Sequence, residues 1–317
     1  MFNVYSYFSI ICIFIGRILV VCSNLWFGIW IGLELNMMSF LLLISLKWKL
    51  SRVEALVRYF FIQTLGSIIL ILIIVLGLRG ILINLILLPL LLKLGIYPIH
   101  YWVVEIGFIV NLLRVYLLLT WQKLAPLIIL VRVNWDISIW LIIISILVGS
   151  FIGLFQTFVI KLVIFSSIYH LGWLLGAIEV RIPFLILYYL VYSYLLLLLF
   201  IILKDRKESF QLRINYGDFK SLILLLLTIL VFIGIPPFLG FYIKWVILII
   251  LYEEIQWLIA YLFLIRSLIL GYSYLRLTYY LLMVYRVKWR IKISNRDRGL
   301  RYTLLVISTL FIPTLLM

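Results

Sequence analysis

Four ionisable side chains stand inside apolar runs of this 317-residue chain: Glu34 in WIGLELNMMSF, Lys93 in LLKLGIYPIHYW, Lys123 in LLLTWQKLAPL and Lys244 in IPPFLGFYIKW. An ammonium near the centre of a bilayer costs about 3 kcal/mol on insertion scales. Such a group persists where it faces a protein interior, water or a partner charge. The chemistry these types suit is proton exchange. Removal from water disfavours the charged form of a lysine, and a carboxylate within about 4–6 Å restores it, so a change in their spacing switches proton affinity. Three lysines and one glutamate at membrane depth therefore make a candidate proton relay.

Each residue also has a plainer reading. Glu34 could be a carboxylate hydrogen-bonded inside a bundle. Lys93 stands a few residues from a loop and could snorkel, although Pro89, Gly95 and Pro98 around it favour a broken or capped helix end. Lys123 and Lys244 lie deeper. His100 and His170 titrate near neutral pH and are candidate additional relay positions, but a single histidine in a bundle is more often a packed, hydrogen-bonded group. A bis-histidine haem needs facing pairs, and these two lie at unlike depths. Lys161, Arg17 and Arg58 stand near span ends, where snorkelling is expected. Arg114 falls within a span and calls for snorkelling or a partner. Glu54 and Glu105 open or flank spans, where a helix N-terminus stabilises a carboxylate. No glycine loop for phosphate, CxxC pair or nucleotide fingerprint occurs, so redox and nucleotide chemistry are expected elsewhere.

The elements that position these groups follow from composition. Hydrophobic residues are 67% and charged residues 12% of the chain, against about 45–50% and 25% in soluble domains. The apolar runs are continuous and long enough for helical spans, and they lack the alternation of a membrane β-barrel. The expected class is an all-α polytopic membrane protein forming one domain over 1–317. Eleven spans are read at 3–22, 25–46, 55–78, 80–97, 107–133, 136–154, 158–178, 182–203, 220–252, 257–284 and 300–316. Cys12 and Cys22 share one run, which argues against a disulfide framework. The first span begins almost at Met1 without a basic leader or cleavage site and reads as a retained helix.

The net charge of +16 points less to nucleic acid than to topology. The loops after the second, eighth and tenth spans hold fifteen lysines and arginines, among them Lys47, Lys49, Arg206, Lys288 and Arg296; the opposite loops hold Arg79, Arg132 and Arg181 with the acidic Glu253 and Glu254. The N-terminus and the basic loops fall on the positive-inside face, and Met317 on the other. Two spans read as broken. Residues 220–252 contain Ile235-Pro236-Pro237 and exceed one straight crossing; residues 107–133 carry Lys123 just before Ala125-Pro126. Interrupted helices at matching places in two halves mark the site in inverted-repeat transporters.

The pieces WIGLELNMMSF (30–40), EALVRYFFIQT (54–64), KLGIYPIHYW (93–102), LLTWQKLAPL (118–127), FSSIYHLGW (165–173) and IPPFLGFYIKW (235–245) run in order along most of the chain. Together they resemble the subunit 2 family of mitochondrial NADH:ubiquinone oxidoreductase, respiratory complex I. The resemblance implies an antiporter-like bundle and proton translocation in the inner mitochondrial membrane, with basic loops in the matrix. It implies Glu34 and Lys93 as a glutamate–lysine pair, Lys123 as central relay and Lys244 as terminal lysine. It implies no cofactor in this chain, with NADH, FMN, iron–sulfur clusters and ubiquinone handled by other subunits, and neighbouring membrane-arm subunits and lipids as partners. The eleven-span count is similar to that of the animal form, which lacks three N-terminal helices of the bacterial one. Ile96-Tyr97 before Pro98 and Tyr169 before His170 depart from the small residues usual there, and Arg114 has no expected counterpart. Two other readings remain: a standalone cation/proton antiporter, which usually keeps the fuller helix set, and a non-translocating scaffold, which could replace the four charges by leucine.

Overall fold

A computed structural model describes residues 4–45, 50–76, 81–133, 139–205, 219–236, 238–253 and 257–289. All secondary structure among them is helical: α1 (Val4–Cys22), α2 (Trp26–Ser45), α3 (Leu50–Leu76), α4 (Ile81–Leu94), α5 (Tyr101–Ile109), α6 (Leu112–Leu119), α7 (Trp121–Arg132), α8 (Ile139–Phe155), α9 (Val159–Val180), α10 (Ile182–Asp205), α11 (Phe219–Ile233), α12 (Leu239–Glu253) and α13 (Trp257–Trp289). Leucine- and isoleucine-rich segments take this form because the helix satisfies every backbone group internally where water is absent. Buried serines follow the same rule. Ser39, Ser145, Ser166 and Ser167 return their hydroxyls to carbonyls three residues back in their own helices.

Among the described residues six segments are long and apolar enough to cross a membrane: Val4–Cys22, Trp26–Ser45, Val53–Leu76, Leu112–Arg132, Val159–Val180 and Ile182–Leu203. Shorter apolar helices lie at Leu85–Leu94, Trp140–Phe155, Ile223–Ile233 and Leu239–Tyr252. Helix α11 ends before Gly234 and α12 resumes at Leu239, as expected. The Lys123 span is also divided, but at Thr120, between α6 and α7; Pro126, where the sequence places the break, lies inside α7. The sequence-based start of that span at 107 falls instead in α5, a separate short helix that ends at Ile109. The expected span 300–316 and most residues of the basic loops lie outside the described residues.

The chain divides into two compact units, residues 1–136 and 137–317. In the first, α1 packs on α2, α2 on α3, α3 on α4, α4 on α7 and α7 back on α1, closing a ring. Helices α1 and α2 approach most closely at Gly16 and Gly32, where a Cβ on Gly32 would lie 2.6 Å from the Gly16 oxygen, as small residues allow in membranes. In the second, α12 packs against α9, α10, α11 and α13. Helix α9 is the core helix, with nineteen of its 22 residues buried.

Candidate functional site

The ring of the first unit carries a polar group on each of its helices. Glu34 is half-buried on α2; Tyr59 and Gln63 are buried on α3. Lys93 on α4 is 4% exposed and Lys123 on α7 is 3% exposed. The Glu34 charge acts on both Lys93 and Tyr59. Lys93 does not snorkel. Its chain crosses Gly66 of α3, whose absent Cβ would stand 3.4 Å from the lysine Cε. Helix α4 ends at Leu94, one residue beyond Lys93, and the next residue, Gly95, adopts φ +67°. The Gly95 and Ile96 amides return to the Leu92 and Leu91 carbonyls, the Schellman pattern that favours glycine. Gln63 donates to the Lys93 carbonyl at 3.4 Å, satisfying an acceptor that the helix end leaves open.

Lys123 follows the break at Thr120 by three residues, and its amide donates to the Thr120 carbonyl at 3.0 Å. Pro126 lacks the amide that would close on the Gln122 carbonyl. The Gln122 side chain instead meets α3, where the Tyr59 hydroxyl donates to its Oε1 at 3.4 Å. Tyr59 thus stands between the element bearing Lys123 and the Glu34–Lys93 group.

Of the arginines in or near the spans, Arg17 departs from the snorkelling expected of it, Arg114 has the partner its place in a span called for, and Arg58 is paired. Arg17 is 6% exposed, and its guanidinium lies 4.4 Å over the Trp121 ring; a planar, weakly hydrated cation stacks where an ammonium would stay wet. Arg114, buried on α6, donates to the Ile44 carbonyl in the last turn of α2 at 3.5 Å, a cation at the negative end of a helix. Arg58 pairs with both Glu54 and Glu105, joining α3 to α5. Those carboxylates are thus held by a guanidinium and not, as expected, by a helix N-terminus, since neither lies in the first turn of its helix. At the other end of the ring, Arg132 donates to the Ser23 carbonyl at 2.7 Å and to that of Val21, just beyond and within the last turn of α1.

In the second unit Lys244 is 6% exposed on α12. Its ammonium donates to the Ile233 carbonyl at 2.8 Å and to that of Phe232 at 3.5 Å. These are carbonyls of the last turn of α11, released where Gly234 turns the chain with φ +83°. Gly240, one turn before Lys244, permits this reach: a Cβ there would lie 2.1 Å from the Val231 oxygen. The rings of Tyr169 and Trp173 stand 5.9 Å from the ammonium. Lys244 shares a cavity of about 20 Å³ with His170, Tyr188, Tyr192, Phe232 and Gly240, enough to admit a water. His170 is hydrogen-bonded through Nδ1 to the Tyr188 hydroxyl at 2.7 Å.

His100 is separate from this arrangement. It is fully buried before α5, stacked with Tyr97 at 5.6 Å and Tyr101 at 4.5 Å, which is the packed reading. Among the described residues no group of three or more His, Cys, Asp or Glu could hold a metal ion. Sequence reasoning missed Tyr59, Gln122 and Tyr188 as partners, since none is unusual as a residue type in its run.

Residues 77–270 match the family described as NADH:quinone oxidoreductase/Mrp antiporter, transmembrane. The chain is 30% identical over 330 residues to NADH-ubiquinone oxidoreductase chain 2 of Equus asinus, covering 95% of this chain and 94% of that one. It is 32% identical over 333 residues to the chain of that name from Lemur catta, covering 96% and 95%. Its fold is similar to a chain of respiratory complex I from Thermus thermophilus solved with bound aureothin, with a TM-score of 0.83, 21% identity, and coverage of 98% of this chain and 79% of that one.

Proposed function

The chain belongs to the NADH:quinone oxidoreductase/Mrp antiporter transmembrane family, with NADH-ubiquinone oxidoreductase chain 2 among its relatives, and on that membership we propose that it is a proton-translocating membrane-arm subunit of respiratory complex I. Glu34 and Lys93 form its glutamate–lysine pair, Lys123 is the central carrier, and Lys244 is the terminal one. His170 is an additional carrier beside Lys244. His100 is left to packing.

The observation that carries this reading is the burial of three lysines, 3–6% exposed, in helices otherwise made of apolar side chains. Burying an ammonium is expensive, and a scaffold gains nothing from it. Each lysine also stands at or near a helix interruption, and at Lys244 the released carbonyls of α11 accept from the ammonium. NADH oxidation and ubiquinone reduction, with their FMN and iron–sulfur centres, are assigned to other subunits of the complex. Neighbouring antiporter-like subunits and lipids are its contacts.

The topology we assign has eleven spans in the inner mitochondrial membrane, with the N-terminus and the basic loops in the matrix and the C-terminus on the intermembrane side. The family match crosses the boundary between the two units, which supports one transmembrane domain.

The test is Lys123→Met in the assembled complex, with protons translocated per electron as the readout. Loss of translocation with assembly intact is the expected result. An unchanged ratio would leave only the scaffold reading.

A further inference from the structure

We propose that Tyr188 is a positioning residue for proton exchange at His170: its hydroxyl engages Nδ1, holds the ring in place beside the cavity shared with Lys244 and leaves exchange to Nε2. The inference rests on the reading of Lys244 and His170 as proton carriers. It adds a group that neither the apolar pattern of α10 nor the charge positions would single out.

Helix α10 turns Tyr188 and Tyr192, one turn apart, toward the His170 ring, with centroid separations of 6.0 and 5.0 Å. Both tyrosines are buried, at 4% and 3% exposure. Tyr188 also lies beside the Trp173 indole, nearly parallel at 8° with centroids 6.1 Å apart. The phenol is therefore packed against two rings of α9, an indole and an imidazole, with its hydroxyl 2.7 Å from Nδ1. The remaining side of the cavity is formed by Phe232, Gly240 and Lys244.

An imidazole that exchanges protons must pass between neutral and charged forms without losing its place. Which ring nitrogen is protonated is set by the hydrogen bond that the other makes. The phenol engages Nδ1 whichever of the two donates, and that leaves Nε2 as the nitrogen for exchange. A transfer from Lys244 breaks one Nζ–H bond and forms one Nε2–H bond, giving a neutral amine and an imidazolium. The contact survives the step, because imidazolium donates at Nδ1 and a phenol oxygen accepts. The return transfer restores both groups. The titratable side chains facing His170 include Tyr188 and Tyr192 from α10 and Lys244 from α12, with Tyr169 of its own helix edge-on at 5.4 Å; α8, also packed on α9, has no charged residue.

The experiment compares Tyr188→Phe and Tyr188→Gln in the assembled complex, each alone and with His170→Gln, with Lys244→Met as reference. The readout is protons translocated per electron, normalised to assembled complex. Tyr188→Phe keeps the ring and removes the hydrogen bond, and it should lower translocation by about tenfold, the low end of what loss of a partner that orients a functional histidine costs. Tyr188→Gln keeps a polar partner and should translocate better than the phenylalanine variant. In the His170→Gln background, Tyr188→Phe should cause no further loss. Wild-type translocation in Tyr188→Phe, phenylalanine outperforming glutamine, or losses that multiply with His170→Gln would each overturn the proposal. If Lys244→Met itself translocates normally, the reading of the carriers fails; if Lys244→Met abolishes translocation while Tyr188→Phe is silent, only the role of Tyr188 fails.

Discussion

The Lys244 ammonium and the Ile233 carbonyl are 2.8 Å apart, so the lysine of α12 caps the half-helix that precedes it. A positive charge at a helix C-terminus is stabilised by the released carbonyls, and that stabilisation weakens when the lysine gives up its proton. Arginine at this place would keep the charge and the cap but could not release a proton. Lys244→Arg should therefore assemble with near-native heat stability yet translocate protons at least tenfold more slowly, a cautious figure against the roughly 10²–10⁴-fold worth of an acid–base group. Lys244→Met should lose the cap as well and inactivate at lower temperature. Wild-type translocation in the arginine variant would mean that a fixed charge is all this position needs.

Gly240 decides whether that cap can form. A Cβ there would stand 2.1 Å from the Val231 carbonyl oxygen, and backbone cannot swing aside as a side chain can. Gly240→Ala must separate the ends of α11 and α12, at a cost of about 1–3 kcal/mol for overpacking. Gly153 is the matched control, since its nearest neighbour would be 3.8 Å from an added Cβ. Thermal inactivation of the two alanine variants should differ by several degrees in the order given. Equal values would show that the two half-helices slip past the clash.

Lys123, Lys244 and the break after Gly234 were legible in the sequence, because an ammonium in an apolar run is costly wherever it is and Gly-Ile-Pro-Pro cannot continue a helix. The inward face of α1 was not. When nearly every residue is apolar, periodicity does not say which side faces protein, and Arg17 read as a residue near a span end. The break at Thr120 carries no glycine or proline and left no local signal. The partners of Arg114 and His170 come from other helices, 70 and 18 residues away, and only the fold brings them together.

Glu34 and Lys93 should behave as one unit. The carboxylate acts on the lysine through space within the ring of α1, α2, α3, α4 and α7, without a direct ion pair between them. Each single loss should therefore cost less than the roughly 3–5 kcal/mol of a broken buried ion pair. Glu34→Gln and Lys93→Met should each destabilise the assembled complex, and the double variant should be less damaged than the two effects added, with a coupling of roughly 0.5–3 kcal/mol. Strict additivity in heat inactivation would separate the two groups.

Arg17 offers the sharpest contrast between a snorkelling cation and a buried one. Its guanidinium lies 4.4 Å over the ring of Trp121, the residue that opens α7 two positions before Lys123. If the contact holds α1 to α7, Arg17→Met and Trp121→Leu must be coupled. A desolvated cation–π pair is worth about 2 kcal/mol, and an exposed one about 0.5–1, so the 6% exposure of Arg17 places the expected coupling near the upper figure. Arg17→Lys should recover only part of it, because an ammonium neither stacks flat on an indole nor sheds its water as readily. A snorkelling arginine gives a different pattern: the cycle is additive and lysine replaces arginine without loss. Heat inactivation of the four complexes distinguishes the two, and the same variants report whether a permanent charge this close to Lys123 alters protons translocated per electron.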